Sequence, residues 1–448
     1  MSRLALNAYL TEEIFLTLWP PKMKLLATSI VVALLLPAAL CADLCSESSA
    51  NFLMHRGDLY RGQQEFTVSM LEAIRKAKPD ENIFFSPYST YHALLLAYFG
   101  AGSETEKELV KTLRLEWASS KEAVRSVYNW EKQMRAVRSE NMPLEFGSAD
   151  RIYFDQHFSL ASCVEKRFYN EIVKLNFRQE PEECRTHINA WIANVTRNEI
   201  PDMLGPNDID AKTQVVLANA AYFKGQWVSR FKEKNTEMKT FYTSGTKQSF
   251  TPMMKQKGTF LLTTDERLGA HVLQLPYRTT KEEEKDENDD IKSDISMVII
   301  LPTFNADALE QVLNKLNAKT LAQSLAEGMP REIEVSLPKF EFEQRFELVP
   351  ILREMGIRKI FEGDADFNDF TAEEQISFGD AKHVAKIKVD EEGSTAAAAT
   401  VLVSFRSARP IEPTKFECDH PFVFLIYDKT SQSILFTGIF RDPMTAKI

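Results

Sequence analysis

The sequence lacks the short motifs that mark most enzyme active sites. Its seven histidines lie at positions 55, 92, 157, 187, 271, 383 and 420, and no two of them form an H-x-x-x-H pair. There is also no G-x-S-x-G nucleophile turn and no glycine-rich loop that would hold a phosphate. A triad built from distant residues would leave no local motif, but these absences favour a protein that is not an enzyme, with no catalytic residues and no cofactor.

Local metal-binding motifs are missing as well. The five cysteines contain no C-x-x-C pair, which argues against a zinc or redox site; they are Cys41, Cys45, Cys163, Cys184 and Cys418. The acidic stretch KEEEKDENDDIKSD at 281–294 lacks the ligand spacing and the glycine of an EF-hand. Because this stretch also has few apolar residues, we interpret it as a solvated hairpin insertion and predict no metal site.

Basic residues are too few to suggest nucleic acid as the main partner. Lysine and arginine total 54 against 64 acidic residues, which gives a net charge of −10. Segment 121–138 carries five basic residues that form either a polyanion site or a solvated helix face: Lys121, Arg125, Lys132, Arg135 and Arg138. Glu122 and Glu131 interrupt the positive charge, so the sequence favours the solvated face and gives no support for a polyanion activator.

The N-terminal region has the pattern of a secretory signal peptide. Met23-Lys24 precedes an apolar run from Leu25 to Leu36, and Ala39-Leu40-Cys41 offers a cleavage site after Cys41. The run is too short to span a bilayer. We therefore predict an extension and signal at 1–41, with the signal at 23–41 and translation starting at Met1 or Met23. The remainder, 42–448, is predicted to be a single secreted domain without membrane contact.

Secretion has three consequences for the mature chain. Removing 1–41 takes away three basic residues and two acidic ones, so the net charge becomes −11. The four remaining cysteines permit one or two disulfides in an oxidising compartment, and three pairings would use all four. Asn194-Val195-Thr196 is the one N-glycosylation sequon, which makes Asn194 a candidate acceptor.

The pattern of apolar residues predicts helices early in the chain and strands later. Helical spacing predicts a helix over Glu65–Lys78, and Ser86-Pro87 and Ser103 each begin another. From Val215 onward, alternating or continuous apolar runs predict strands, including VVLANAAYF, TFYT, FLLTT, HVLQLPY, ISMVIILP and EIEVSLPKFEFEQ. With 44% hydrophobic residues, this order indicates an α+β fold with a sizeable core.

One stretch combines the features of a loop with those of a strand. It runs from Glu391 to Arg409 and reads EEGSTAAAATVLVSFRSAR, with no ionisable side chain between Gly393 and Phe405. Four consecutive alanines suit a helix or a linker, whereas the β-branched and aromatic residues after them favour a strand. In a strand, alternation would place small or apolar residues on one face, namely Ser394, Ala396, Ala398, Thr400 and Leu402. The stretch therefore fits both an exposed loop and a strand inserted between neighbours.

Five separated segments together resemble the serpin family of serine protease inhibitors. The resemblance extends from about Glu65 to Pro443 and is carried by the order and spacing of the segments. They are NIFFSPYSTYHALLLAYFGAGSETEKEL (82–109), LANAAYFKGQW (217–227), LREMGIRKIFEGDADFNDFT (352–371), HVAKIKVDEEGSTAAAAT (383–400) and HPFVFLIYDKTSQSILFTGIFRDP (420–443). The amino-acid sequence also resembles, more weakly, those of secreted insect haemolymph serpins.

The resemblance implies both a fold and a mechanism. The fold has three β-sheets, about nine helices and a reactive-centre loop, here about 391–412, exposed above the main sheet. A target protease would cleave this loop and form an acyl-enzyme. The loop would then insert into the main sheet as a central strand and distort the protease before deacylation. Loop insertion in serpins is a known example of strand addition and of the release of stored strain.

The resemblance also assigns roles to individual residues. The hinge that inserts first comprises Glu391, Glu392, Gly393, Ser394, Thr395, Ala396, Ala397, Ala398 and Ala399. Lys339 stands where the family supplies a partner for the hinge glutamate, which predicts an ion pair with Glu391. Trp227 matches the aromatic residue at the top of the sheet. The polar cluster that gates sheet opening corresponds to Ser86, Ser89, Asn219 and His383.

Two positions compete for the bond that the protease attacks. The family's usual loop length, counted from Glu391, ends at Ser407 and points to the Ser407–Ala408 bond. A loop one residue shorter points to Arg406–Ser407, which we prefer because the carboxylate in a trypsin-like pocket matches arginine. Arg409 precedes Pro410, which usually blocks cleavage.

The sequence therefore predicts a secreted, monomeric suicide inhibitor of an extracellular trypsin-like serine protease. The resemblance to insect serpins suggests negative regulation of an immune cascade of the Toll or melanisation type. One alternative is a non-inhibitory serpin acting as a carrier or binding protein, and another is an inhibitor of an elastase-like protease through Ser407. The absence of charge and proline between Gly393 and Phe405 favours inhibition.

Overall fold

The structure is a computed structural model that describes residues 52–244, 246–279, 293–305, 307–371, 375–391 and 413–446. Several predictions fall outside these ranges. At the N-terminus these are the segment 1–41, which includes Cys41, and the cysteine Cys45. The acidic insertion also lies outside, apart from Ser293 and Asp294. So do the hinge from Glu392 to Ala399 and the candidate bonds at Arg406, Ser407 and Ala408.

The described residues contain nine α-helices and four 3₁₀ turns. The helices are α1 Arg56–Ala77, α2 Pro87–Gly100, α3 Ser103–Thr112, α4 Lys121–Asn141, α5 Ser162–Arg167, α6 Pro181–Val195, α7 Ala308–Lys315, α8 Ala318–Ala326 and α9 Leu348–Glu354. The 3₁₀ turns are Phe52–His55, Glu233–Asn235, Lys359–Phe361 and Pro443–Thr445.

Fourteen strands accompany the helices in the described ranges. They are β1 Ile83–Phe85, β2 Glu145–Asp155, β3 Ile172–Leu175, β4 Val215–Lys224, β5 Glu237–Tyr242, β6 Gln248–Asp265, β7 Ala270–Pro276, β8 Ile295–Pro302, β9 Met329–Pro338, β10 Phe340–Glu347, β11 Ala381–Val389, β12 Thr414–Glu417, β13 Phe422–Asp428 and β14 Ser433–Phe440.

The strands form two hydrogen-bonded sheets in the described part of the chain. The five-stranded sheet has the order β10-β11-β4-β2-β3. The nine-stranded sheet has the order β1-β14-β13-β8-β7-β6-β9-β12, with β5 paired to β6. The long strand β6 pairs with β5 over 248–253, with β9 over 253–262 and with β7 over 261–265, so it joins two of the three expected sheets into one network. The predicted α+β fold class is confirmed.

Local sequence explains where several elements begin and end. Ser86 caps α2, since its side chain accepts a hydrogen bond from the Ser89 backbone N–H, and Pro87 occupies the first helical position. The helix predicted from Glu65 begins earlier, at Arg56. The continuous run predicted over 332–344 is divided at Lys339, where the chain leaves β9 and enters β10. Lys339 therefore lies at a junction between the two sheets.

Helices cover both faces of the five-stranded sheet. Every residue of α2 is buried, and this helix contacts β2 and β4 on one side and β14 of the other sheet on its other side. On the opposite face, Ile188 and Ile192 of α6 join a core cluster with Ala218 of β4 and Val384 of β11. Side chains in the middle of β4 and β11 are therefore enclosed from both sides.

The cysteines of the described residues fall into two classes. Cys163 is disulfide-bonded, whereas Cys184 and Cys418 are buried free thiols. The three arrangements that would pair all four mature cysteines are therefore excluded. Among the described helices, none has the length and apolar character needed to cross a membrane.

Candidate functional site

The candidate site is built on the parallel pair of strands at the centre of the five-stranded sheet. β4 and β11 run side by side, with Ala381 opposite Leu217 at one end and Ile387 opposite Phe223 at the other. Their outer neighbours β2 and β10 are antiparallel to them. Glu391 follows the carboxyl end of β11, so the predicted reactive-centre loop is attached to the sheet at this end of the pair.

Glu391 is held in place by two side chains. Its carboxylate lies 2.7 Å from the Lys339 ammonium and accepts a 2.7 Å hydrogen bond from the Thr236 hydroxyl. The predicted ion pair with Lys339 is therefore present, and it is not a freely exposed pair, because Glu391 is only 5% exposed. Burial alone would raise the pKa of Glu391, but the bonds from Lys339 and Thr236 outweigh it and leave the pKa below its ordinary value.

Trp227 supports the same end of the sheet. Its indole N–H donates a 3.0 Å hydrogen bond to the backbone carbonyl of Asp390, the residue before Glu391. The ring stacks on Tyr277 with centroids 4.4 Å apart, and both residues are buried. Because Tyr277 directly follows β7, this stack connects the start of the loop to the nine-stranded sheet.

A buried polar cluster lies beneath the middle of the β4/β11 pair. Ser86, Ser89, Asn219 and His383 are each fully buried, so the structure brings together the four residues that the sequence grouped. The Ser86 backbone N–H donates to His383 Nε2 at 2.9 Å, and the Ser86 hydroxyl donates to the Leu435 carbonyl at 2.7 Å. The N-terminus of α2 therefore links the five-stranded sheet to β14.

Asp150 belongs to this cluster, although sequence reasoning missed it. It lies opposite Asn219 in the β2/β4 ladder. Its Oδ1 accepts hydrogen bonds from the Ser89 hydroxyl at 2.6 Å and from the Asn219 amide at 2.7 Å, and its Oδ2 accepts one from the Ser148 hydroxyl at 2.6 Å. The available signal was an acidic residue between the small residues at 147–149 and Arg151, in the segment GSADRIY of β2.

The two titratable groups of the cluster are shifted in opposite directions. Burial raises the pKa of Asp150 to about 6, even though hydrogen bonds from Ser148, Ser89 and Asn219 act against it. Burial lowers the pKa of His383 to about 3, so its ring is neutral near pH 7. His383 lies opposite Asn219 across the β4/β11 ladder, and an interaction with the Asn219 backbone acts against the lowering of its pKa without overcoming it.

The basic residues of α4 do not form a free cationic face. Lys121 is 4% exposed and contacts Asp369 and Glu106, and Lys132 pairs with Glu171. The three arginines of the set also have carboxylate partners: Arg125 pairs with Glu122, Arg135 with Glu131 and Asp428, and Arg138 with Asp428. The prediction of a solvated basic face is therefore wrong, because the fold brings acids from other elements to this helix.

The glycosylation sequon lies at the end of α6. Asn194 is exposed in the last turn of the helix. Thr196, the hydroxyl residue of the sequon, is buried, and its side chain donates to the Ile192 carbonyl at 2.8 Å. Asn194 is accessible on the surface and remains a candidate acceptor.

Comparison with known proteins gives a family and close relatives. A family model described as serpin (serine protease inhibitor) matches residues 61–443. Serine protease inhibitor 88Ea of Drosophila melanogaster is 59% identical over 423 residues, covering 94% of this chain and 99% of the fly protein. Iripin-3 of Ixodes ricinus is 32% identical over 367 residues, covering 81% of this chain and 89% of the tick protein.

Solved structures show the same fold. Maspin superimposes with a TM-score of 0.75 at 23% identity, covering 87% of this chain and 100% of maspin. Uncleaved ovalbumin gives a TM-score of 0.71 at 24% identity, covering 86% of this chain and 100% of ovalbumin. At these identities the likeness concerns the fold.

Proposed function

This chain belongs to the serpin family of serine protease inhibitors, and on that premise we propose that it is a secreted suicide inhibitor of a trypsin-like serine protease. The protease attacks the loop at Arg406–Ser407 and is trapped as an acyl-enzyme when the loop inserts between β4 and β11. The observation that carries this proposal is the position of Glu391, anchored above the one parallel pair at the centre of the described five-stranded sheet and followed by an uncharged tract.

Strand direction favours insertion at this place. A chain that leaves the carboxyl end of β11 and folds back runs antiparallel to β11, and therefore also antiparallel to β4. Insertion would exchange one parallel ladder for two antiparallel ones, which are slightly more stable per residue. Because the loop already starts at this point, the new strand needs no crossover connection.

The composition of the tract matches the environment that it would enter. Between β4 and β11 an inserted side chain meets α6 on one face and the polar cluster beneath α2 on the other. An unpaired charge buried there would cost several kcal/mol. The residues from Gly393 to Phe405 carry no charge, so the tract can be buried without that penalty.

Cys163 supports secretion, because disulfides persist mainly in oxidising compartments such as the extracellular space. An exposed Asn194 in the sequon is compatible with passage through the same route. The arginine at 406 supports a trypsin-like target, since that class of protease binds a basic residue before the cleaved bond. A role in an immune protease cascade of the Toll or melanisation type extends the proposal by the sequence resemblance to secreted insect haemolymph serpins.

The test is to incubate the secreted chain with trypsin and with elastase and to separate the products on a denaturing gel. We expect a covalent complex with trypsin, and mass spectrometry of the released C-terminal peptide should show that it begins at Ser407. A complex formed only with elastase and a peptide beginning at Ala408 would favour the elastase-like alternative. If every protease yields only cleaved chain and no complex, the non-inhibitory alternative replaces the proposal.

A further inference from the structure

Exposed apolar side chains are concentrated on one sheet face near the loop. Ten large hydrophobic residues in the described ranges are exposed, and four of them lie together: Met238, Tyr242, Phe250 and Phe304. Met238 and Phe250 are each 63% exposed and Phe304 is 62% exposed. A cluster of this kind on a soluble protein usually marks an interaction surface, whereas single exposed apolar residues need no explanation.

Strand register shows that these residues form a continuous strip. In the β5/β6 ladder Met238 lies opposite Pro252, and Thr240 lies opposite Phe250. Phe250 is therefore the diagonal neighbour of both Met238 and Tyr242 on the same face. Tyr242 contacts Phe304 edge-on, with ring centroids 5.3 Å apart. We call the strip Met238, Phe250, Tyr242 and Phe304 the β5–β6 face.

The β5–β6 face lies beside both anchors of the reactive-centre loop. Thr236, two residues before Met238, donates its hydroxyl to Glu391 at the start of the loop. Lys239, the residue after Met238, pairs at 3.3 Å with Glu417 in β12, the strand that follows the loop. The residue just before β5 therefore contacts the start of the loop, and Lys239 within β5 contacts the strand that follows it.

We propose that the β5–β6 face is a second docking surface for the target protease, which it contacts while its active site holds the loop. The inference rests on the proposed function and adds a partner surface to it. A protease bound to a loop fixed at Glu391 and at β12 is brought near β5, because Thr236 just before β5 touches the first fixed point and Lys239 within β5 touches the second.

The chemistry of the face indicates what part of a protease it fits. The charged neighbours on these strands are already paired within the chain, Lys239 with Glu417 and Lys255 with Glu237. The unpaired features are a thioether and three aromatic rings, which bind apolar and aromatic surface better than charged surface. The matching protease surface is therefore an apolar rim next to its substrate cleft.

The face can be removed without touching the loop. The double variant Met238→Ser with Phe250→Ser deletes two side chains from residues that are each 63% exposed, so it should fold normally. Tyr169→Ser is the matched control, because Tyr169 is 71% exposed but precedes β3 at the far edge of the other sheet. Equal unfolding midpoints for the three proteins would establish that the variants are intact.

The measurement is the second-order rate of trypsin inhibition. Loss of two interface anchors predicts a rate about tenfold lower for the double variant and unchanged for Tyr169→Ser. The number of inhibitor molecules consumed per trapped trypsin should stay the same, because loop insertion is not altered. Equal rates for the double variant and the wild type would overturn the inference, as would a change of oligomeric state alone, which would identify a second copy as the occupant.

A separate measurement distinguishes this inference from the proposed function. If the wild type forms no covalent complex with trypsin, the proposed function fails, but docking is still measurable with trypsin whose catalytic serine is replaced by alanine. Hydrogen exchange should then show protection of the amides of β5 and β6 in the bound state. Protection limited to the loop would contradict the docking surface.

Discussion

Replacing Asp150 by asparagine should stabilise the native protein at neutral pH and have much less effect in acid. Burial moves the pKa of Asp150 from 3.8 to about 6, because the charged carboxylate is penalised inside the sheet. A shift of this size corresponds to a cost of about 3 kcal/mol once the carboxylate is ionised. An amide at the same position carries no such cost.

The hydrogen bonds of Asp150 should survive the substitution. The carbonyl of an asparagine can accept from Ser89 and Asn219, and its NH₂ group can donate to the Ser148 hydroxyl, which is free to rotate. Asp150 lines a cavity of about 360 Å³ beside α4. Asp150 is only partly enclosed, and solvent screening of its charge therefore makes 3 kcal/mol an upper value.

The expected pH dependence has a definite sign. Because the folded pKa of Asp150 is raised, the folded state binds more protons than the unfolded state between about pH 4 and 6, and stability falls as pH rises through that window. The free energy of unfolding of Asp150→Asn should exceed that of the wild type by about 3 kcal/mol at pH 7.5 and by about 1 kcal/mol at pH 4.5. The pKa of His383 is lowered to about 3, and its contribution is instead lost as pH falls below 6.5, but this loss is common to both proteins and cancels.

The assay is urea unfolding followed by tryptophan fluorescence at pH 4.5 and 7.5, with unfolding rates recorded because a trapped native state is governed by kinetics. Asp150→Ala is the control for lost hydrogen bonds and should be destabilised at both pH values. A difference in free energy of unfolding between Asp150→Asn and the wild type that is the same at both pH values would refute the reasoning. An Asp150→Asn variant less stable than the wild type at pH 7.5 would refute it as well.

Four further substitutions test individual side chains. Lys339→Ala should lower the free energy of unfolding at pH 7.5 by about 1–3 kcal/mol, because it leaves the buried Glu391 carboxylate with Thr236 alone. The loss of stability should shrink in acid as Glu391 protonates. An unchanged urea midpoint at pH 7.5 would contradict this prediction. Arg135→Ala should cost about 3 kcal/mol, since it removes a charge partner from Glu131 and Asp428 inside the fold, whereas Lys107→Ala, in an exposed pair with Glu104, should leave the urea midpoint unchanged. N-glycosidase treatment of the secreted wild type should shift its band on a gel, and the same treatment of Asn194→Gln should produce no shift. A shift that persists in the variant would place the glycan elsewhere.

The sequence predicted those parts of the fold that local chemistry determines. The Ser86-Pro87 cap located α2, and the apolar runs after Val215 located the strands of both sheets. It did not predict that Lys339 divides one apolar run into strands of two different sheets. Nor did it predict the length of β6, which links two expected sheets. Both depend on pairing between distant segments.

The candidate site shows the same division. The pair of Lys339 and Glu391 followed from the family resemblance, and the structure places the two groups in contact. Asp150 was missed because its partners Ser89 and Asn219 lie 61 and 69 residues away along the chain. The charges of α4 were misjudged for the same reason, since Asp369 and Asp428 approach Lys121 and Arg138 only in the folded state.

The most direct test of loop insertion is the yield of covalent trypsin complex from two hinge variants, Ser394→Arg and Thr395→Arg. Alternation places Ser394 on the face of the polar cluster and Thr395 on the opposite face, which α6 covers in the middle of the sheet but which is solvent-accessible at Lys388, near the loop end of β11. We predict that Ser394→Arg yields cleaved chain in place of complex, because a buried unpaired charge stalls insertion, while Thr395→Arg still traps trypsin. Equal complex yields from the two variants would contradict insertion between β4 and β11.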